Sequence, residues 1–118
     1  DGLRTFVTSF PSAVAARIEL VAALRESGHD DEAITQASEV LKRRPNDPDA
    51  LAALALAHLD RGEDDTAALL SDESLKAGQK TAGVERTAGL VALARGDDAI
   101  AFQHFARASE LDPKDATA

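Results

Sequence analysis

The sequence predicts an all-α protein in which antiparallel helix pairs stack side by side as an α-solenoid. Glycine recurs at Gly28, Gly62 and Gly96, and the interval is 34 residues both times. A fixed period of this size is typical of stacked repeats, and two amphipathic segments can be traced within each period. Other residue types keep the same interval: Asp30, Asp64 and Asp98; Ala33, Ala67 and Ala101; and Pro11, Pro45 and Pro113, with Gln79 in the remaining proline position.

The composition also favours helices over strands. The 118 residues are rich in Ala and Leu and contain four Phe but no Trp or Tyr. Small side chains allow helices to approach closely, whereas strands favour β-branched and aromatic residues. A chain of this length is about one domain, so we expect residues 1–118 to form a single domain.

The first eleven residues fit the repeat register one period early. We therefore expect 1–11 to be the end of a preceding repeat, and the chain, which begins without methionine, to be a fragment of a longer protein. Their apolar residues and proline align with the end of a later second helix: Leu3 with Ala37, Phe6 with Val40, Val7 with Leu41 and Pro11 with Pro45.

The first complete repeat, 12–45, is predicted to contain two helices. Gly28 can close the first helix in a left-handed conformation. Asp30 is expected to cap the second helix, which Pro45 ends. The residues expected to be buried are Ala13, Ala16, Leu20, Ala23 and Leu24 in the first helix, and Ala33, Ile34, Ala37, Val40 and Leu41 in the second.

Repeats 46–79 and 80–113 follow the same pattern, and 114–118 is a tail. Pro48 and Asp49 are expected to open one first helix, and the other is expected to begin near Thr81. Together with the preceding helix, this gives seven helices. The residues expected to be buried are Leu51, Leu54, Ala55 and His58; Ala67, Ala68, Ser71 and Leu75; Ala88, Gly89 and Ala92; and Ala101, Phe102, Phe105, Ala108 and Leu111.

These residues resemble the tetratricopeptide repeat family. The family pattern has a leucine–small pair, a turn glycine, then alanine, an aromatic residue, alanine and a closing proline. The third repeat carries Gly96, Ala101, Phe105, Ala108 and Pro113; the first carries Leu20, Leu24, Gly28, Ala33 and Pro45; the second carries Leu54, Ala55, Gly62 and Ala67. The second repeat departs at Ser71, Ser74 and Gln79, so its second helix is expected to pack loosely. Arg17, Leu51 and Glu85 replace the early tryptophan of the family.

The resemblance implies a right-handed superhelix whose first helices line a concave groove. Leu56 and Leu90 occupy equivalent repeat positions, as do Leu59 and Leu93, so a row of leucines is expected on the groove side. Exposed apolar surfaces of this size mark binding sites, which predicts a groove for an apolar peptide or amphipathic helix. Arg25 and Arg86 would be available for carboxylates. Alternatively, the leucines pack internally against a neighbouring repeat or a further helix. The residues expected in the groove are Ile18, Ala22, Arg25 and Glu26; Ala52, Leu56, Leu59 and Asp60; and Arg86, Leu90 and Leu93.

Charge and motifs argue against several other functions. The formal net charge of −8 disfavours nucleic acids and anionic membrane surfaces as partners. No apolar run approaches the length of a membrane span. Nucleophile motifs and phosphate-binding glycine loops are absent, so we expect neither enzymatic activity nor a cofactor.

The histidines and acidic clusters are assigned structural roles, and no metal site is predicted. The histidine spacings do not fit a two-histidine zinc motif. We expect His29 in a turn, His58 at a packing position and His104 facing water. Each acidic cluster lies at the same position of its repeat, at the expected start of the second helix. This regular placement favours helix capping over calcium binding. They are Asp30-Asp31-Glu32, Glu63-Asp64-Asp65 and Asp97-Asp98.

The leading hypothesis is a non-enzymatic module of a larger protein that binds a protein or peptide partner in its groove. The Ala- and Arg-rich usage without cysteine suggests a bacterial source. One alternative is self-association through exposed terminal repeats, which would give homo-oligomers. Another is that the repeats form the recognition arm of a larger enzyme. Both cytoplasm and periplasm are compatible with the sequence.

Overall fold

The computed structural model describes residues 14–77 and 81–112, and within these ranges it contains six α-helices and no strand. The all-α prediction is therefore confirmed, and the helix expected before the first pair lies outside the described residues. We number the helices α1 (Val14–Glu26), α2 (Asp30–Arg43), α3 (Pro48–Asp60), α4 (Asp64–Lys76), α5 (Ala82–Ala94) and α6 (Asp98–Leu111).

The six helices form three antiparallel pairs that stack in sequence order. Each first helix (α1, α3, α5) packs against the second helix that follows it (α2, α4, α6). Helix α3 also packs on α1 and α2, and α5 packs on α3 and α4. The resulting body is elongated, with extents of 42 × 28 × 26 Å. This arrangement is the predicted solenoid.

The turn within each pair is built in the same way at all three glycines. The φ angles are 81° at Gly28, 78° at Gly62 and 83° at Gly96, a region that favours residues without a Cβ. The next N–H donates back to a carbonyl near the helix end, as in a Schellman turn. The donor–acceptor pairs are His29 N to Leu24 O (2.8 Å), Glu63 N to His58 O (3.0 Å) and Asp97 N to Ala92 O (2.9 Å).

The predicted capping of the second helices is wrong in its detail. Asp30, Asp64 and Asp98 are the first residues of α2, α4 and α6, rather than the residues before them. The preceding residues make no side-chain capping hydrogen bond. The carboxylates instead lie in the first helical turn, where the helix dipole favours negative charge.

Side-chain caps occur at the first helices. Asp47 Oδ1 accepts a hydrogen bond from Ala50 N at 3.0 Å, and Pro48 follows at the first helical position. Thr81 Oγ1 accepts from Val84 N at 3.2 Å. The start of α3 at Pro48 was predicted, whereas its cap Asp47 was not.

A core of small and aliphatic side chains joins the first two helix pairs. Val21, Ala33, Ala37 and Ala57 have no exposed surface, and Leu54 belongs to the same cluster. Half-buried Leu24, Ile34, Leu41, Ala53 and Leu70 pack around it. The prediction for α2 is thereby confirmed.

The predicted buried stripe of α1 is wrong at Ala23, which is exposed, and it omitted the buried residues Arg17 and Val21. Ala16, Leu20 and Leu24 are half-buried, and Leu24 packs against the core cluster. Ala13 lies outside the described residues. The buried side is thus rotated by about one residue, because Arg17 points inward to contact α2.

Two predictions for α6 are also wrong. Phe102 is 73% exposed and Leu111 is 53% exposed, whereas Ala101 and Ala108 are buried as predicted. The apolar pattern of α6 runs around more than one face, and only the face turned to α5 is covered in the described chain.

The second repeat packs more closely than the sequence suggested. Ser71 and Ser74 are both buried. Ser74 Oγ donates to the carbonyl oxygen of Pro48 at 2.7 Å, so this hydroxyl is satisfied across the pair. The expected loose packing of α4 is therefore not observed.

Candidate functional site: the groove along the first helices

A groove of about 280 Å³ crosses the first helices of all three repeats. Its lining residues fall into rows that are related by the repeat interval. One row contains Ala15, Asp49 and Gly83, and the next contains Ile18, Ala52 and Arg86. The remaining lining residues are Val21, Ala22, Arg25, Ala53, Leu56 and Thr87.

The structure brings together six of the eleven residues predicted for the groove. Ile18, Ala22, Arg25, Ala52, Leu56 and Arg86 line the groove. The predicted residues that lie outside its lining are Glu26, Leu59, Asp60, Leu90 and Leu93. Leu59 and Leu90 are half-buried, and Leu93 is 51% exposed.

Five of the twelve residues that line the groove are Ala or Gly. Ala15, Ala22, Ala53 and Gly83 leave space that larger side chains would fill. Sequence reasoning missed Ala15, Asp49 and Gly83, although they keep the repeat interval. Extending the register by one helical turn toward the start of each first helix would have found this row.

Arg25 is held in place by an acidic partner from the next repeat. Its Nε donates to Asp60 Oδ2 at 2.8 Å, and its Nη2 donates to Asp60 Oδ1 at 3.3 Å. The two side chains are 23% and 31% exposed. The expectation that Arg25 is available for a ligand carboxylate is therefore wrong, since a ligand would have to compete with Asp60.

Away from the groove, α5 and α6 enclose a polar cluster that the sequence did not predict. Glu85 is 1% exposed, and its Oε1 lies 3.3 Å from His104 Nδ1 and 3.9 Å from Arg107 Nη1. Glu85 Oε2 is buried without a hydrogen-bond partner. His104 was expected to face water, but its side chain is only 14% exposed.

A second cavity of about 250 Å³ is lined by residues of α4, α5 and α6. His104 and Ile100 form part of its α6 wall. Within residues 14–77 and 81–112, no group of three or more His, Asp or Glu side chains could hold a metal ion. No helix in these ranges is long and apolar enough to cross a membrane.

Comparisons with known proteins agree with this fold. The family model described as "Tetratricopeptide repeat" matches residues 14–57. No curated protein sequence matches the chain.

Three solved structures share the fold at low sequence identity. YrrB, described as a TPR protein with an unusual peptide-binding site, is 15% identical with a TM-score of 0.72, over 98% of this chain and 59% of that one. The C-terminal part of a TPR protein from Cytophaga hutchinsonii is 17% identical with a TM-score of 0.63, over 82% and 39%. MamA MSR-1 C2 is 21% identical with a TM-score of 0.62, over 97% and 66%.

The chain thus spans between 39% and 66% of the length of these structures. At these identities, the structures establish a shared fold and carry no assignment of partners. The family model matches residues 14–57, less than half of the chain, so the similarity to tetratricopeptide repeats covers α1, α2 and most of α3.

Proposed function

We propose that the chain is a protein-interaction scaffold that binds a peptide or helical segment of a partner in the groove along its first helices. The role is binding rather than catalysis. The observation that carries the proposal is the groove itself, because residues from three repeats line one open space. Its aliphatic side chains come from α1 and α3, and its polar side chains are Arg25, Asp49, Arg86 and Thr87. YrrB, which has the same fold, is described as having a peptide-binding site.

The chemistry of the groove favours a mainly apolar ligand. Ile18 and Leu56 provide aliphatic contact, and the alanines between them provide room for ligand side chains. Leu90 and Leu93 would extend this surface along α5. Burying three or four aliphatic side chains would contribute a few kcal/mol at ~25 cal/mol per Å². Ordering of the peptide opposes part of this gain, so a Kd of about 1 µM is expected.

The test selects peptides from a displayed random library on the immobilised chain and measures their affinity by titration calorimetry. Ala22 is exposed within the groove, so Ala22→Glu should fill the groove without disturbing the core. We expect Ala22→Glu, Leu56→Glu and Ile18→Glu each to weaken binding by about tenfold or more, with unchanged helicity.

Leu69→Glu is the matched control, because Leu69 is 67% exposed on α4 and does not line the groove. Its affinity for the selected peptides should equal that of the unchanged chain. Binding that survives all three groove substitutions, or that is lost in Leu69→Glu, would contradict the proposal.

A further inference from the structure

The cavity lined by α4, α5 and α6 opens where alanines replace larger residues of the preceding junction. At the junction of the first two repeats, Leu54 belongs to the core cluster and Ile34 packs against it. One repeat interval later, the residues at the positions of Ile34, Leu54 and His58 are all alanine. They line the cavity of about 250 Å³, and they are Ala68, Ala88 and Ala92.

The replacement of His58 by Ala92 also removes the partner of an acidic side chain. In the second repeat, His58 Nδ1 lies 2.8 Å from Glu63 Oε1, and Arg61 Nε lies 3.4 Å from the same oxygen. The corresponding acid in the third repeat is Asp97, which lines the cavity. Ala92 has no side-chain donor to offer it, and in the described chain Asp97 makes no side-chain capping hydrogen bond. The cavity therefore combines an open volume with a carboxylate at its edge.

The opening of this cavity does not depend on where the stack ends. Ile100 and Asp97 correspond to Thr66 and Glu63 in the second repeat. Thr66 and Glu63 are exposed, although the third repeat stacks directly on the second. A further repeat stacked in the same way would leave Ile100 and Asp97 exposed as well.

The lining of the cavity combines apolar and acidic groups. Val91, Leu75 and the three alanines supply apolar surface, and the exposed side chains of Asp72 and Asp97 supply negative charge. Arg95 also lines the cavity, but its Nη1 lies 3.5 Å from Asp65 Oδ1. The volume is below the roughly 300 Å³ at which small-molecule sites begin, so it suits one long side chain.

We propose that this cavity binds the arginine side chain of a partner protein. The apolar stem of the arginine would cover the alanines, and its guanidinium would donate to Asp97, as the His58 ring does to Glu63. A guanidinium matches a carboxylate in shape and is more weakly hydrated than the ammonium of lysine, which favours arginine. The cavity and the groove share no lining residue, so the two proposals are independent.

The probe is N-acetyl-arginine methylamide, compared with its citrulline analogue, in which a neutral urea replaces the guanidinium. Each compound is titrated into the isotope-labelled chain, and binding is followed by the NMR shifts of backbone amides. We expect the arginine compound to shift the amides of Ala92, Asp97 and Ile100, with a Kd of about 1 mM for so small a ligand. The citrulline compound should bind about fivefold more weakly or less, because it lacks the charge.

Three variants test the assignment to the cavity. Ala92→His introduces the residue of the second repeat and should abolish binding, since the ring would fill the cavity and donate to Asp97. Asp97→Asn should weaken binding of the arginine compound by about fivefold. Asp98→Asn is the matched control, because it makes the same change at the next residue, which does not line the cavity. Its affinity should equal that of the unchanged chain.

Several outcomes would overturn the proposal. These are the absence of saturable binding, equal binding of the two compounds, or full binding by a folded Ala92→His variant. Equal affinities of Asp97→Asn and Asp98→Asn would do so too, and this exposed pair decides the question even if Ala92→His is destabilised. Loss of binding in the groove variant Ala22→Glu would place the arginine compound in the groove instead.

Discussion

Where two residues face each other within a helix pair, the larger one lies on the first helix in the first repeat and on the second helix in the third repeat. Val21 and Ala37 belong to the same buried cluster in the first pair. The corresponding residues in the third pair are Gly89 and Phe105, and the phenyl ring occupies the space where a Cβ of Gly89 would stand. A larger residue on one helix is thus matched by a smaller one on its partner.

This matching predicts that Gly89→Ala destabilises the protein. The added Cβ would lie 2.7 Å from Phe105 Cε1, so the ring must move. Overpacking costs about 1–3 kcal/mol, and the better helix propensity of Ala offsets roughly 1 kcal/mol of it. We expect a net loss of about 1 kcal/mol in the free energy of unfolding, measured by urea denaturation.

Two further variants separate overpacking from a general effect of alanine. Gly83→Ala should be neutral or slightly stabilising, because its added Cβ would meet only Thr81 Oγ1, at 3.8 Å. Phe105→Leu in the Gly89→Ala background should recover part of the loss. Equal effects of Gly83→Ala and Gly89→Ala would argue against a steric origin.

A second prediction at the residue scale concerns Glu63. The hydrogen bond from His58 lowers the pKa of Glu63 below its ordinary value of 4.5; burial opposes this effect and Arg61 supports it. The contribution of Glu63 to stability is therefore present above pH 4.5 and is lost as the pH falls through the folded-state pKa.

In an NMR titration of the side-chain carboxyl carbon, Glu63 should have its midpoint below 4.5. His58→Leu, which introduces the residue found at position 24 of the first repeat, should return that midpoint toward 4.5. Glu39 is the internal control: the hydrogen bond from Lys42 lowers its pKa independently of His58. A Glu63 midpoint unchanged by His58→Leu would contradict this account.

At the scale of the elements, the first and third helix pairs each have a side-chain contact between residues 19 positions apart, and its chemistry differs between the two pairs. In the first pair, Arg17 Nη1 donates to Gln36 Oε1 at 2.8 Å. In the third pair, the same positions hold Glu85 and His104. The second pair has Leu51 and Leu70 there. The first of these two positions therefore holds a basic, an apolar and an acidic residue in the three successive repeats.

The apolar version in the second pair predicts how the third pair responds to substitution. His104→Leu alone should lower the free energy of unfolding by about 3 kcal/mol, because it leaves buried Glu85 with only the distant Arg107. Glu85→Leu combined with His104→Leu introduces the Leu pair of the second repeat and should recover this loss or exceed it. Chemical denaturation of both single variants and the double variant measures the coupling. Additive effects would show that the two side chains do not interact.

The sequence predicted the elements better than it predicted their polar contacts. The glycine interval located the three turns, because only a residue without a Cβ takes their φ angles without strain. His104 was misplaced because a histidine at a helical position carries no signal of burial by itself. The available clue was Glu85, an acid at the position of a large aromatic residue, which requires a partner when it is buried.

In the candidate groove too, the sequence predicted the position of the helices better than the polar contacts between them. The sequence placed the groove on the first helices, and six of the predicted residues line one groove along these helices. The pairing of Arg25 with Asp60 joins two repeats, so no pattern within a single repeat could reveal it. The exposure of Phe102 likewise depends on what lies beside α6, which the local apolar pattern does not encode.

At the scale of the whole molecule, burial is concentrated in the first helices of the second and third repeats. Helix α3 has six buried residues and helix α5 has seven. In contrast, α6 buries only Ala101 and Ala108 in the described chain. The substantial helix contacts join helices of the same repeat or of neighbouring repeats. Stability should therefore add up from local units and their junctions.

This additive stability predicts different responses to substitutions at the centre and at the end. Leu54→Ala should cost about 2–4 kcal/mol and speed amide hydrogen exchange in all six helices, because both neighbouring repeats pack on α3. Ala101→Gly should cost about 1 kcal/mol and speed exchange mainly in α6 and α5. Hydrogen exchange measured by NMR resolves the two patterns, with the slowest amides expected in α3. If Ala101→Gly speeds exchange in α1 as much as in α6, the stack unfolds as one cooperative unit, and its stability is not a sum over repeats.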